Sequence, residues 1–280
     1  MRRGGKVGLG LGGGIVVLIA SLLGINPDIL TAVLGEGGSE QPAIEQSAGA
    51  GLANCQTGQD ANEHLDCRIL GTANSLNSFW PGYLTQYGVG YSIPKTVIFT
   101  GNVSTACGAA TSAVGPFYCP GDNKAYFDPD FFAQLETQFG SSGGPLAQEY
   151  VVAHEFGHHI QNLTGTIGQA QQDPRGAQSL AVRTELQADC YAGIWMRHAS
   201  SQPAQGSSEP FLQALTQQDL NDALSAASSV GDDRIQQAAT GRTTPESWSH
   251  GSSEQRQKWL YTGYQSADLT ACDTFAIPTV

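Results

Sequence analysis

Charge is scarce in this chain. Only 14% of its 280 residues are Asp, Glu, Lys or Arg, and basic residues number 13 against 25 acidic ones. Three of those bases, Arg2, Arg3 and Lys6, precede the first acid, Asp28, which leaves 10 basic against 25 acidic residues beyond them. A surface that acidic repels phosphate backbones and anionic headgroups, so the balance argues against nucleic acid as a partner. No C-x-x-C pair occurs among the six cysteines, which disfavours a zinc ribbon or a redox dithiol. No internal repeat is present. The single G-x-G-x-x-G, at Gly8 to Gly13, has no strand before it and no room for a βαβ unit, so it is not a dinucleotide fingerprint.

From Val7 to Pro27 there is, conversely, no charged side chain at all. That run is about the length a helix needs to cross a bilayer, and the bases before it with the acidic bulk after it predict a cytoplasmic N-terminus. A cleaved signal peptide is the competing reading, although no A-x-A site or lipoprotein cysteine supports it. The expected organisation is a cytoplasmic tip and transmembrane anchor over 1–34, then a tether over 35–51. An extracytoplasmic domain follows over 52–280. The tether is rich in Gly, Ser, Gln and Glu without apolar period.

An even six cysteines suits an exported domain with disulfides. Proximity in sequence suggests Cys55–Cys67 and Cys107–Cys119, which leaves Cys190–Cys272.

Lys95 to Thr100 alternates as a strand does, and Ala125 to Asp128, after the turn Pro120-Gly121-Asp122-Asn123, reads as another, forming a hairpin. Helices are predicted over 131–139, 146–163, 180–199, 216–230 and 252–265. The fold class is therefore α+β, mostly helical with a small sheet, after an N-terminal transmembrane helix.

The chemistry concentrates at Ala153-His154-Glu155-Phe156-Gly157-His158-His159. Six histidines serve the whole chain, and three lie here. At about 100° per residue His154 and His158 point within about 40° of each other and can grip one metal ion. Glu155 lies beside that face, where a base holding the attacking water belongs. His159 points elsewhere. The pattern is H-E-x-x-H, a zinc motif whose glutamate acts as general base. Catalytic zinc takes three protein ligands. Glu185 is the candidate third, and Asp189, one turn on, suits an acceptor that orients a ligand histidine. His250, in His-Gly-Ser-Ser-x-x-Arg, reads equally as an oxyanion donor, as a movable fourth ligand, or as a helix-start residue beside a Ser252 cap.

His154 to Gln161, Glu185 to Gly193 and His250 to Arg256 together resemble the bacterial neutral zinc metallopeptidase family, and the likeness extends over Ile98 to Phe275. The resemblance implies a zincin-like fold, Zn²⁺ and a glutamate as third ligand; it implies no particular substrate. The resulting expectation is a membrane-anchored zinc endopeptidase acting on a protein or peptide, with the strand edge at Ala125–Asp128 a candidate for aligning an extended substrate. Its rivals are a zinc hydrolase of cell-wall peptides and a non-catalytic binding module. The sequence leaves the oligomeric state open.

Overall fold

The computed structural model describes residues 55–204 and 207–280. All of them fall within the stretch expected to form the domain, whereas the anchor and tether expected before it lie outside the described residues. Two helices come first, α1 (Gly58–Glu63) and the long α2 (Leu65–Thr85). Five short strands follow: β1 (Lys95–Ile98), β2 (Asn102–Thr105), β3 (Gly108–Thr111), β4 (Phe117–Cys119) and β5 (Lys124–Phe127). The rest is helical: α3 (Pro129–Thr137), α4 (Pro145–Thr164), α5 (Leu180–Ala199), α6 (Gln217–Ser229), α7 (Asp232–Thr240) and α8 (Ser253–Ser266).

The described protein is thus mostly helical with a small sheet. None of its helices is long and apolar enough to cross a membrane. This corrects the expected fold class, in which a transmembrane helix preceded the domain: that segment, 7–27, is outside the described residues. The physical reason is plain in the two longest helices around the site, α4 and α5. They are as long as a membrane span, but they carry Glu149, His154, Glu155, Arg183, Glu185 and Asp189. Their apolar residues are spent on a shared protein core instead.

The second correction concerns the sheet. Strand order is β1-β5-β4, with β5 parallel to β1 and antiparallel to β4, while β2 and β3 form a separate ribbon. Ala125–Asp128 does lie in a hairpin, but its partner there is β4, which the sequence reading did not name, and it runs parallel to β1, the strand that reading did name. Because β5 is hydrogen-bonded on both sides, it has no free edge to offer a substrate, and the expectation for Ala125–Asp128 falls. β4 is the outer strand on that side of the sheet.

The helix α2 escaped the sequence reading. Its Pro81 sits inside the helix and its apolar residues (Ile69, Ala73, Leu76, Trp80, Leu84) are diluted by Asn, Ser and Gly. Those five side chains are nonetheless buried against the core that α4, α5, α6 and α8 share. A smaller cluster of Phe99, Val114, Phe117 and Tyr126 lies under the ribbon.

α5 is the central rod, buried on nearly every side. Two close approaches place it. Where α4 crosses it, a Cβ on Gly157 would lie 2.9 Å from the Cα and carbonyl of Ala188. Where α8 crosses it, a Cβ on Gly263 would sit on the Cys190 carbonyl and one on Gly193 on that of Leu260. Glycine lets the backbones touch there. The three disulfides pair as the spacing suggests, Cys55–Cys67, Cys107–Cys119 and Cys190–Cys272, and no described cysteine is free. The last pins the C-terminal tail to α5, and Arg183 adds hydrogen bonds to the carbonyls of Thr274, Ile277 and Pro278.

Candidate metal centre

α4 begins at Gly144-Pro145, where proline costs no helical hydrogen bond, and stops at Gly165 in the left-handed conformation. His154, Glu155 and His158 lie on its middle turns and are 7–8% exposed. α5 opens with Ser179 accepting from the Val182 N–H, and its second turn carries Glu185. The Gly157–Ala188 crossing brings the two faces together. One ligand atom from each of His154, His158 and Glu185 lies within 4.8 Å of the other two. His154 Nε2 is 3.2 Å from one Glu185 oxygen and His158 Nε2 is 3.6 Å from the other.

The remaining ring nitrogens are spoken for. His154 Nδ1 lies 2.8 Å from Asp189 Oδ1, and a carboxylate can only accept, so Nδ1 carries the proton. His158 Nδ1 lies 2.9 Å from Gln161 Oε1. The Gln161 amide nitrogen donates to the Thr184 carbonyl at 2.7 Å and to Gln187 at 3.1 Å. Its oxygen is therefore the acceptor, and His158 Nδ1 is also protonated. Both Nε2 lone pairs are left facing Glu185, as a metal requires. Gln161 was not singled out from sequence. Only its place three residues after His158, on the same helix, hints at the role.

Asp189 is wholly buried and does more than orient His154. Arg256 grips it with two hydrogen bonds of 2.9 Å, and the Tyr150 hydroxyl donates at 2.6 Å. Burial pushes the carboxyl up, but Arg256 and His154 outweigh it and hold the pKa down at about 2. Burial likewise raises Glu155, and there it prevails over the pull of His158 and His154. Glu185 feels the same burial, yet His158, His250 and His154 around it leave it well below the usual carboxylate range.

The donor set suits a divalent cation. Glu155, Glu185 and Asp189 converge on a buried region where, among the described residues, the one fixed cation is Arg256; with all three acids ionised the region is short of two positive charges, which a divalent cation beside the three donors supplies. Two imidazoles and a carboxylate are a recurring set for catalytic zinc.

His250 lines the same cleft as these residues, but it is outside the group of three donors. It follows α7 and precedes Ser252, which caps α8 as the sequence suggested. His159, read as pointing away, does so: it is buried between the Tyr118 hydroxyl and the Ser92 carbonyl. His198 and His64 are remote from the centre in the fold, on the far turn of α5 and at the start of α2.

The comparisons with known proteins agree with this chemistry. The family described as "Putative neutral zinc metallopeptidase" matches residues 1–275. The chain belongs to that family. A relative from Mycobacterium tuberculosis (strain ATCC 25618 / H37Rv), an uncharacterized protein, is 53% identical over 260 residues, covering 92% of this chain and 85% of its own. One from Mycobacterium bovis matches equally. The uncharacterized protein YpfJ of Escherichia coli (strain K12) is 38% identical over 266 residues, covering 93% and 84%. No solved structure matches. The family description names zinc as the metal, and neither it nor the names of these relatives gives a substrate.

Proposed function

We propose that this member of the metallopeptidase family is a zinc endopeptidase that cuts peptide bonds outside the cytoplasm. The observation that carries the reading is the convergence of His154, His158 and Glu185 beside Glu155 in one buried cleft, with both histidine tautomers fixed for ligation. His154, His158 and Glu185 would hold the ion through both Nε2 atoms and a carboxylate oxygen. Zinc so held supplies a Lewis acid that polarises a carbonyl and acidifies water.

The chain's own groups account for the rest. Glu155 takes a proton from the attacking water as its oxygen adds to the scissile carbonyl, then gives that proton to the departing amine. Burial raises its pKa, which favours a base that must later act as an acid. His250 would donate to the carbonyl oxygen as negative charge develops there. Asp189, with Arg256 and Tyr150 behind it, keeps His154 from rotating. Three disulfides support an oxidising compartment.

The test is zinc content together with casein cleavage for the wild type and Glu155→Gln. Stoichiometric zinc in both, with cleavage lost by ~10²-fold or more in the variant, is the expected result. Equal cleavage by the two proteins would end this mechanism.

A further inference from the structure

The cleft over the metal centre opens to solvent, and its chemistry is uneven. The charged residues lining it, Glu155, Glu185 and Arg256, are those of the metal centre together with its histidines. Toward the start of α4 the lining turns apolar. Leu135 and Val151 are buried at the floor, and Phe131, Phe139, Val230 and Ile235 form half-buried walls. The walls come from α3 (Phe131), the turn after it (Phe139), the residue that caps α6 (Val230) and α7 (Ile235). The turn between α3 and α4 is tied to the same helices. Ser142 donates to Asp222 at 2.6 Å, its N–H to Ser225 at 3.0 Å, and Arg234 reaches the Gly140 carbonyl at 3.2 Å. That turn is thus held against α6 and α7.

Its position is set by α4. Val151, His154, Glu155 and His158 follow the i, i+3, i+4, i+7 spacing of one helix face. The apolar lobe therefore begins about one turn, ~5 Å, from the metal ligands. An extended peptide advances ~3.3–3.6 Å per residue, so the side chain beside a bond held at the metal reaches it.

Resting on the peptidase reading above, we infer that this lobe is the specificity pocket and that it selects substrates with a large apolar side chain, Leu, Ile or Phe, next to the scissile bond. An apolar walled space takes such a group out of water with nothing to desolvate on its own side. An Asp, Glu or Lys side chain would lose its hydration there and gain no charged partner, Gln134 being the polar side chain on α3 beside the apolar ones. The metal centre lies in the same cleft, so the occupant is part of the substrate and not a separate partner.

The test uses the full chain on a quenched-fluorescence peptide library, with cut sites read by mass spectrometry. In parallel, binding of library peptides to the Glu155→Gln protein is followed by fluorescence anisotropy. One position flanking the cut should prefer Leu, Ile or Phe over Asp, Glu or Lys by ~10–100-fold in kcat/KM, with the same order in binding. Ile235→Asp, at the half-exposed wall, should shift the Lys-to-Leu ratio toward Lys by about tenfold, a gain that misfolding cannot imitate. Phe139→Ala should relax the preference for Phe over Leu. A flat profile at every flanking position, in cleavage and in binding, overturns the inference. Selective binding with no cleavage by the wild type strikes down the peptidase reading alone.

Discussion

One oxygen of Asp232 accepts three consecutive backbone N–H groups, from Ser249, His250 and Gly251, at 2.8, 2.7 and 3.0 Å. Its other oxygen is buried, without a hydrogen bond, and faces His250 Nδ1 at 3.7 Å. The carboxylate begins α7, and its own N–H donates back to the Gly251 carbonyl. The loop that carries His250 is therefore folded around one acid. Burial disfavours charge on the His250 ring, while Glu185 and Asp232 favour it, and the net direction is upward.

Asp232→Asn tests what that grip does. The amide keeps an oxygen for the three N–H groups but removes the negative charge that faces the imidazole, whose Nδ1 is hydrogen-bonded to Ser249 Oγ at 3.0 Å. The expected result is a fall of ~10²-fold in kcat, a smaller change in KM, and unaltered zinc content. Loss of zinc in proportion to activity would show that Asp232 only supports the fold.

A second prediction concerns the bridge from Cys190 to Cys272, which closes a loop of 82 residues. Cys190 directly follows Asp189, and the tail that the bridge holds also accepts three hydrogen bonds from Arg183, two residues before Glu185. The bridge clamps the helix that carries the third donor. Replacing both cysteines by alanine should cost ~3–5 kcal/mol in urea unfolding. Zinc affinity should fall with it, since α5 then frays beside Glu185. An unchanged unfolding midpoint would refute the clamp.

Glu149 gives a pH dependence outside the metal centre. It is buried on α4, and burial, opposed by Arg68, lifts its pKa from 4.5 to about 7. The folded protein thus keeps a proton on Glu149 that the unfolded chain releases above 4.5. Its contribution is fully present below pH 4.5 and is lost as pH rises through about 7. Glu149→Gln, which stays neutral, should match the wild type near pH 4.5 and be more stable by about 3 kcal/mol at pH 8. Denaturant unfolding at the two pH values decides it, and a variant less stable at pH 8 reverses the sign.

How much of this was legible beforehand follows from the range of each interaction. His154, Glu155 and His158 share one helical turn, so their spacing alone places them on one face. Glu185 and Asp189 were readable as a carboxylate pair four residues apart, because like charges at that spacing call for a purpose. Arg256, Tyr150 and Asp232 act across 67, 39 and 18 residues, and the hydrogen bond that fixes the Gln161 amide reaches across 23. No periodicity encodes such pairings; they exist only once Gly157, Gly193 and Gly263 let the helices close. The same limit explains the sheet. A turn is local, so the one before β5 was foreseen along with the strands β1 and β5 themselves, whereas the parallel pairing of β1 with β5 spans the ribbon between them and the three-residue β4 is too short to show an alternation.

The last prediction separates the groups around the metal by role. Glu185→Ala leaves two imidazoles, too few protein ligands for a tight zinc site, so the purified protein should be largely metal-free after dialysis. Asp189→Asn keeps all three donors. It weakens the acceptor behind His154, and the cost should be ~10–100-fold in zinc affinity, recoverable when zinc is in excess. It also leaves Arg256 facing a neutral amide in a buried place, so its unfolding midpoint should fall as well. Gln161→Met removes the acceptor behind His158 without stranding any charge. It should weaken zinc to a similar degree with less loss of stability, although the Thr184 carbonyl loses its donor too. Zinc stoichiometry against added zinc, measured for all three beside thermal unfolding of the same samples, tells these apart. A zinc-filled Glu185→Ala would move the third ligand elsewhere, and His250, already in the cleft, would be the residue to replace next.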